Sequence, residues 1–196
     1  FSADERFVYV SGGHDNQILK YDITGGKLKL VDKISLGKPW PNRIGPSGLT
    51  IDESKNVLYV VTREDKQLYM VDLGSKKIVE QYGLDAEAYD CKLSKDRKEL
   101  FITCWGCDKV LVFDLVNKRW NRPITVGDNP NEMLLSADGK LLYVCNANDN
   151  SVSVIDVKNK IVIETLDAEK LISKGAKNLL KEMDAAGIVP LDVESI

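Results

Sequence analysis

The sequence holds one histidine and four cysteines among 196 residues. No apolar run in it approaches the ~18 residues that a membrane span needs. With His14 alone, neither a pair of histidines nor a His-rich metal site can form within the chain. Cys91, Cys104, Cys107 and Cys145 are too sparse for a disulfide scaffold. A net charge of -3 argues against a broad electrostatic grip on nucleic acid or anionic membrane. Also missing are a nucleophile elbow, a phosphate-cradling glycine loop, a dinucleotide fingerprint and an HExxH helix, so no catalytic residue, metal or cofactor is assigned. A hydrophobic share of 43% with 29% charged residues leaves an ordinary globular chain, able to bury a core.

What is there is a repeat. The triplets Val8-Tyr9-Val10, Leu58-Tyr59-Val60, Leu100-Phe101-Ile102 and Leu142-Tyr143-Val144 place their central aromatics 50, 42 and 42 residues apart. An Asp follows each aromatic thirteen residues on, at Asp22, Asp72, Asp114 and Asp156, inside a short apolar run. Seven residues before each aromatic stands Ser2, Asp52, Ser94 or Ser136, followed by a polar turn. Apolar residues alternate within each repeat, as in Leu111, Phe113 and Leu115, which is strand periodicity. Turn residues such as Gly25-Gly26 and Asn148-Asp149-Asn150 punctuate the strands. Four short strands every ~42 residues form the blade pattern of a propeller.

The sequence therefore predicts an all-β fold: a β-propeller of about four blades, each a four-stranded antiparallel sheet, over residues 1–166. It is either part of a larger ring or a closed four-bladed one. In the third blade the strands are expected at 89–94, 98–103, 109–114 and 120–125. The first blade lacks its inner strand, because the sequence opens at Phe1 inside a repeat; any signal peptide would precede it. Eight extra residues between the first two repeats fall in the loop Gly37–Pro46. Residues 167–196 break the pattern. Leu171, Ile172, Ala176, Leu179, Leu180 and Met183 share a helix face, with Asp167 as N-cap and Gly187 as C-cap. This helix is expected to cap an open blade edge; alternatively, the stretch Leu191–Ile196 completes the first blade and closes the ring.

The stretch Tyr143-Val144-Cys145-Asn146-Ala147-Asn148-Asp149-Asn150-Ser151-Val152-Ser153-Val154-Ile155-Asp156, with Leu135-Ser136-Ala137-Asp138-Gly139-Lys140 before it, resembles the YVTN-type propeller repeat of bacteria and archaea. Cys145 stands where that repeat has Thr, and the other three repeats diverge further. The resemblance implies a seven-bladed ring, a periplasmic or extracellular setting, and further blades or an attached domain in the full-length protein. Gly37-Lys38-Pro39-Trp40-Pro41-Asn42 and Val10-Ser11-Gly12-Gly13-His14-Asp15-Asn16 are similar to a bacterial subgroup fused to an alkaline-phosphatase-like phosphoesterase.

Propellers bind at the channel mouth, where the loops between second and third strands meet the loops between blades. Those loops carry His14, Trp40, Arg43, Arg63, Glu87, Tyr89, Trp105, Asn131 and Asn146, which combine contact area with directed hydrogen bonds. Against this, Asn, Asp and Gly are what tight turns require, and a solvated turn accounts for His14. Trp40, between two prolines, suits binding and packing equally. Cys104-Trp105-Gly106-Cys107 has the spacing of a disulfide or half a zinc site, or of an ordinary turn. Cys91 aligns with Leu49 and Met133, which makes it a core residue. The four aligned Asp residues are too alike for catalysis, where one site needs different groups in different roles. They are expected to accept backbone N–H bonds where strand meets turn. The function expected is a non-catalytic scaffold that holds a protein or small-molecule ligand, or else the propeller portion of a phosphoesterase.

Overall fold

The structure, a computed structural model, describes residues 1–170. The expected helix with its Gly187 cap, the 191–196 strand, and with them the second domain and ring closure, lie outside the described residues. Asp167 is within them, and its Oδ1 accepts the Lys170 N–H at 3.1 Å, as an N-cap does.

Sixteen strands form four antiparallel sheets, each laid out in chain order. The first holds β1 (Phe7–Ser11), β2 (Gln17–Asp22) and β3 (Lys29–Ser35). The second holds β4 (Pro46–Asp52), β5 (Val57–Thr62), β6 (Gln67–Asp72) and β7 (Lys77–Gly83). The third holds β8 (Glu87–Leu93), β9 (Glu99–Trp105), β10 (Lys109–Asp114) and two short outer pieces, β11 (Arg119–Trp120) and β12 (Ile124–Thr125). The fourth holds β13 (Pro130–Leu135), β14 (Leu141–Asn146), β15 (Ser151–Asp156) and β16 (Ile161–Asp167). This is the expected set of blades, with the first lacking its inner strand among the described residues. One strand differs: the outer strand of the third blade, expected unbroken over 120–125, is split. Asn121-Arg122-Pro123 separates its halves, and Pro123 has no N–H to give the ladder.

The apolar runs are long because the middle strands are buried on both faces. In β5, Leu58 and Val60 pack with Ile18, Ile34 and Val71 toward the first blade, while Tyr59 and Val61 pack with Cys91, Leu100 and Ile102 toward the third. Phe101, Val110 and Val112 meet Met133, Leu142 and Val144 between the third and fourth blades. Each such side chain contributes about 1.5–3 kcal/mol by leaving water. Cys91 is fully buried here, as its alignment predicts, and burial pushes its thiol well above the usual range.

The inner strands approach one another closely. A Cβ on Gly48 of β4 would lie 2.5 Å from Cα of Asp90 in β8, so only glycine fits. Each inner strand also slips register at the same repeat position: between Pro46 and Leu49, between Ala88 and Cys91, and between Pro130 and Met133. A bulge of this kind leaves residues unpaired and re-aims their side chains.

The repeated polar residues build turns. Asp22, Asp72, Asp114 and Asp156 each accept backbone N–H bonds just past their strand, from Thr24, Ser75, Asn117 and Asn159 at 2.6 to 2.9 Å. Ser2, Ser94 and Ser136 each donate to an Asp two residues on, at 2.6 to 2.7 Å. The second blade inverts the pair, with Ser54 donating to Asp52 at 2.6 Å. Ser136 is the largest of several influences that hold the Asp138 carboxyl down at about 2. Because the folded value lies below the ordinary value of about 4, this group adds stability above pH 4 and loses it as pH falls toward 2. In Ser136→Ala, an NMR titration should show Asp138 moving up toward 4, and acid unfolding should begin at higher pH. An unmoved Asp138 midpoint would contradict the turn's role.

Candidate functional site

The three inner-strand bulges lie at one end of the propeller, level with the hairpin turns that join second and third strands. Their residues are Ser47 and Gly48, Tyr89 and Asp90, and Asn131 and Glu132. Glu87 and Asn131, expected in loops, sit in strands β8 and β13, and Tyr89, at the expected start of the inner strand 89–94, sits inside β8. The bulge turns those strands toward the mouth, a role that sequence alternation assigns to a loop.

Hydroxyls tie one bulge to the next. Ser47 Oγ donates to the Ala88 carbonyl at 2.9 Å and lies 3.1 Å from that of Val61. Thr103 Oγ1 donates to the Asn131 carbonyl at 2.6 Å. Asp90 Oδ2 accepts the Met133 N–H at 3.3 Å and pairs with Lys92 Nζ at 3.0 Å. These bonds give partners to backbone groups in and beside the bulges.

The long loop 37–45 is held by one residue. Asn16, fully buried with a left-handed φ of 53°, donates from Nδ2 to the carbonyls of Lys38 and Asn42 at 2.8 and 2.7 Å. Its Oδ1 accepts the N–H groups of Ile44 and Gly45, both at 3.2 Å. The loop's side chains then assemble around Glu64. His14 Nδ1 lies 3.5 Å and Arg43 Nε 3.8 Å from its carboxylate. Arg43 sits over the Trp40 ring at 5.1 Å, and His14 meets that ring edge-on with centroids 6.5 Å apart. Trp40 remains 61% exposed, so it belongs to the surface of the mouth and not to the core.

His14, Arg43, Arg63 and Glu87 line one concavity of about 450 Å³, together with Pro46 and Glu64. Arg63 and Pro46 also line its neighbour of about 400 Å³, whose other walls include Tyr89, Asp90 and Glu132. The Tyr89 ring stacks on Trp105 with centroids 5.8 Å apart and planes 24° apart. Asn131 uses its Oδ1 to accept the Glu132 N–H at 2.7 Å. Asn146 is the outlier. It is buried, and its Nδ2 donates to Ser151 and Ser153 hydroxyls within its own blade, both at 2.9 Å.

Glu64, Ser47, Asp90 and Glu132 escaped the sequence reading. Their signal is faint: Gly48, Asp90 and Glu132 occupy one repeat position, where a small or acidic residue interrupts an apolar strand. At the opposite end lies a larger concavity of about 670 Å³, walled by the turns at Asp96, Asp138 and Asp156. Its Lys140 and Lys160 are already paired, with Asp138 at 3.3 Å and Glu99 at 2.9 Å. Among the described residues, no group of three or more His, Cys, Asp or Glu side chains is arranged to hold a metal ion. No helix among them is long and apolar enough to cross a membrane.

Cys104 and Cys107 flank the turn between β9 and β10 and are both free thiols. A hydrogen bond between them raises the Cys104 thiol, which burial raises further, and lowers that of Cys107. Cys107 is half-buried with its Sγ 3.2 Å from the Cys104 carbonyl, and Cys145 is exposed.

A profile of the YNCE-like beta-propeller family matches residues 1–174. Antigen Lp49 of Leptospira interrogans is 25% identical over 125 residues, which are 60% of this chain and 25% of that protein. Among solved structures, hydrazine synthase of Kuenenia stuttgartiensis superposes with a TM-score of 0.71 at 22% identity, over 83% of this chain and 46% of that one. The chain thus spans a quarter of the curated relative and less than half of the structural one, and the latter likeness concerns the fold.

Thiol accessibility provides a check on this geometry. With a small alkylating reagent, Cys107 and Cys145 of the native protein should react rapidly, and Cys91 and Cys104 only on unfolding. Loss of Cys107 reactivity that returns with reductant would instead reveal a Cys104–Cys107 disulfide.

Proposed function

The chain belongs to the YNCE-like β-propeller family, and on that footing we propose that it is a non-catalytic scaffold binding a ligand or partner at its channel mouth. One observation carries this reading. Bulges at the same position of three successive inner strands bring polar side chains to one concavity, which shares Pro46 and Arg63 with a second. Rigid strands supply the positions, and the loop 37–45 anchored by Asn16 supplies part of the rim. The finer kinship with YVTN-type repeats rests on residues 135–156, and it supports a periplasmic or extracellular setting.

A second reading keeps the same mouth and makes it the propeller portion of a phosphoesterase. It rests on the phrases 10–16 and 37–42. In this reading hydrolysis belongs to another domain.

A melting-temperature screen tests the mouth. Amino acids, nucleotides, sugars and divalent cations would each be added to the parent protein, Arg63→Ala and Tyr89→Ala. Compounds that raise the parent's Tm should lose at least half of that shift in both variants. Shifts that survive both substitutions unchanged would place the binding elsewhere and contradict the proposal.

A further inference from the structure

The charges at the mouth divide into those with partners and those without. Arg43 and His14 flank Glu64, and Asp90 is paired with Lys92. Among the described residues, Arg63, Glu87 and Glu132 make no ion pair. Arg63 lines both concavities, Glu87 lines the first and Glu132 the second. One free cation thus lines both concavities, with one free anion in each, and Tyr89, whose ring stacks on the 40% exposed Trp105, lines the second.

From this pattern we infer that the mouth takes a compact zwitterion bearing both a free carboxylate and a free ammonium, of the amino-acid or dipeptide kind. The inference rests on the binding mouth proposed above and names its ligand class. A guanidinium matches a carboxylate with two parallel N–H bonds. The carboxylate in either concavity suits an ammonium, whose donors it can accept. A phosphate dianion would satisfy Arg63 but face both glutamates, and a simple cation would satisfy the glutamates but face Arg63. Only a ligand with both charges suits the guanidinium and a neighbouring glutamate together. The ring pair offers a flat apolar surface for the ligand's side chain. Concavities of about 450 and 400 Å³ are each within the range that small-molecule sites occupy.

Calorimetric titration of the whole chain tests the inference with three probes. These are glycyl-phenylalanine, its N-acetyl form, which lacks the ammonium, and its C-terminal amide, which lacks the carboxylate. The zwitterion should bind at least tenfold more tightly than either blocked form. Arg63→Ala should erase the preference over the amide and keep the preference over the N-acetyl form. The double variant Glu87→Gln with Glu132→Gln should do the reverse, and unchanged Tm values would show that both proteins fold. Equal binding of all three probes overturns the inference, as does a preference that neither variant alters. If glycyl-phenylalanine fails to bind while other compounds in the melting screen still depend on Arg63 and Tyr89, the ligand class is wrong and the mouth stands. If neither experiment finds a ligand that depends on these residues, both readings fall.

Discussion

Adjacent inner strands of this propeller lie in close contact and are tied by side-chain bonds to each other's backbone, and the rest of the structure is arranged around that contact. Glycine at position 48 lets β4 lie directly on β8. The Ser47 hydroxyl reaches across to the Ala88 carbonyl, the Thr103 hydroxyl to the Asn131 carbonyl, and the Asp90 carboxylate to the Met133 N–H. The apolar clusters between blades supply most of the favourable free energy, but burial is non-directional and tolerates sliding. The hydroxyl and carboxylate bonds are directional. Buried polar groups of this sort cost free energy unless they are paired, so they select one register of blade against blade.

That constraint has a chemical consequence. Of the bulge residues, Ser47 and Asp90 make these bonds and also line a concavity, with Tyr89 and Glu132 beside them. Tyr89, Asp90, Asn131 and Glu132 are presented by strands fixed through their own backbone, so their positions need little ordering when a ligand arrives. The loop that brings Trp40 and Arg43 is secured by Asn16, whose amide is satisfied on both its donor and acceptor sides. Strand and loop contributions meet at Arg63, which lines both concavities.

Much of this was legible in the amino-acid order. The aromatic spacing and the aligned Asp residues mark blades and turns, because each blade solves the same strand-and-turn problem with the same side chains. The Asp residues proved to be turn acceptors, and Cys91 a core residue, as their equivalence across repeats implied. The bulges were not legible. A single extra residue changes which face a side chain takes without altering composition, so Glu87 and Asn131 read as loop residues and Glu132 as an unremarked strand position. Nor did the split outer strand show itself, although Pro123 is its cause. Asn146 read as a mouth residue because its repeat position lies in a hairpin, yet its amide is engaged by two serines below.

Replacing Thr103 with Val tests most directly whether the ties between inner strands set the blade geometry, since it keeps the shape and removes one hydroxyl. Thr103 lies in β9, and its hydroxyl also accepts the Asp90 N–H of β8 at 3.1 Å. Amide exchange in the variant should then speed up in β8 and in β13, with a stability loss of about 1–3 kcal/mol for each of the two groups orphaned, the Asp90 N–H and the Asn131 carbonyl. Exchange that is unchanged in both strands, or faster in β9 alone, would contradict a structure organised by these contacts.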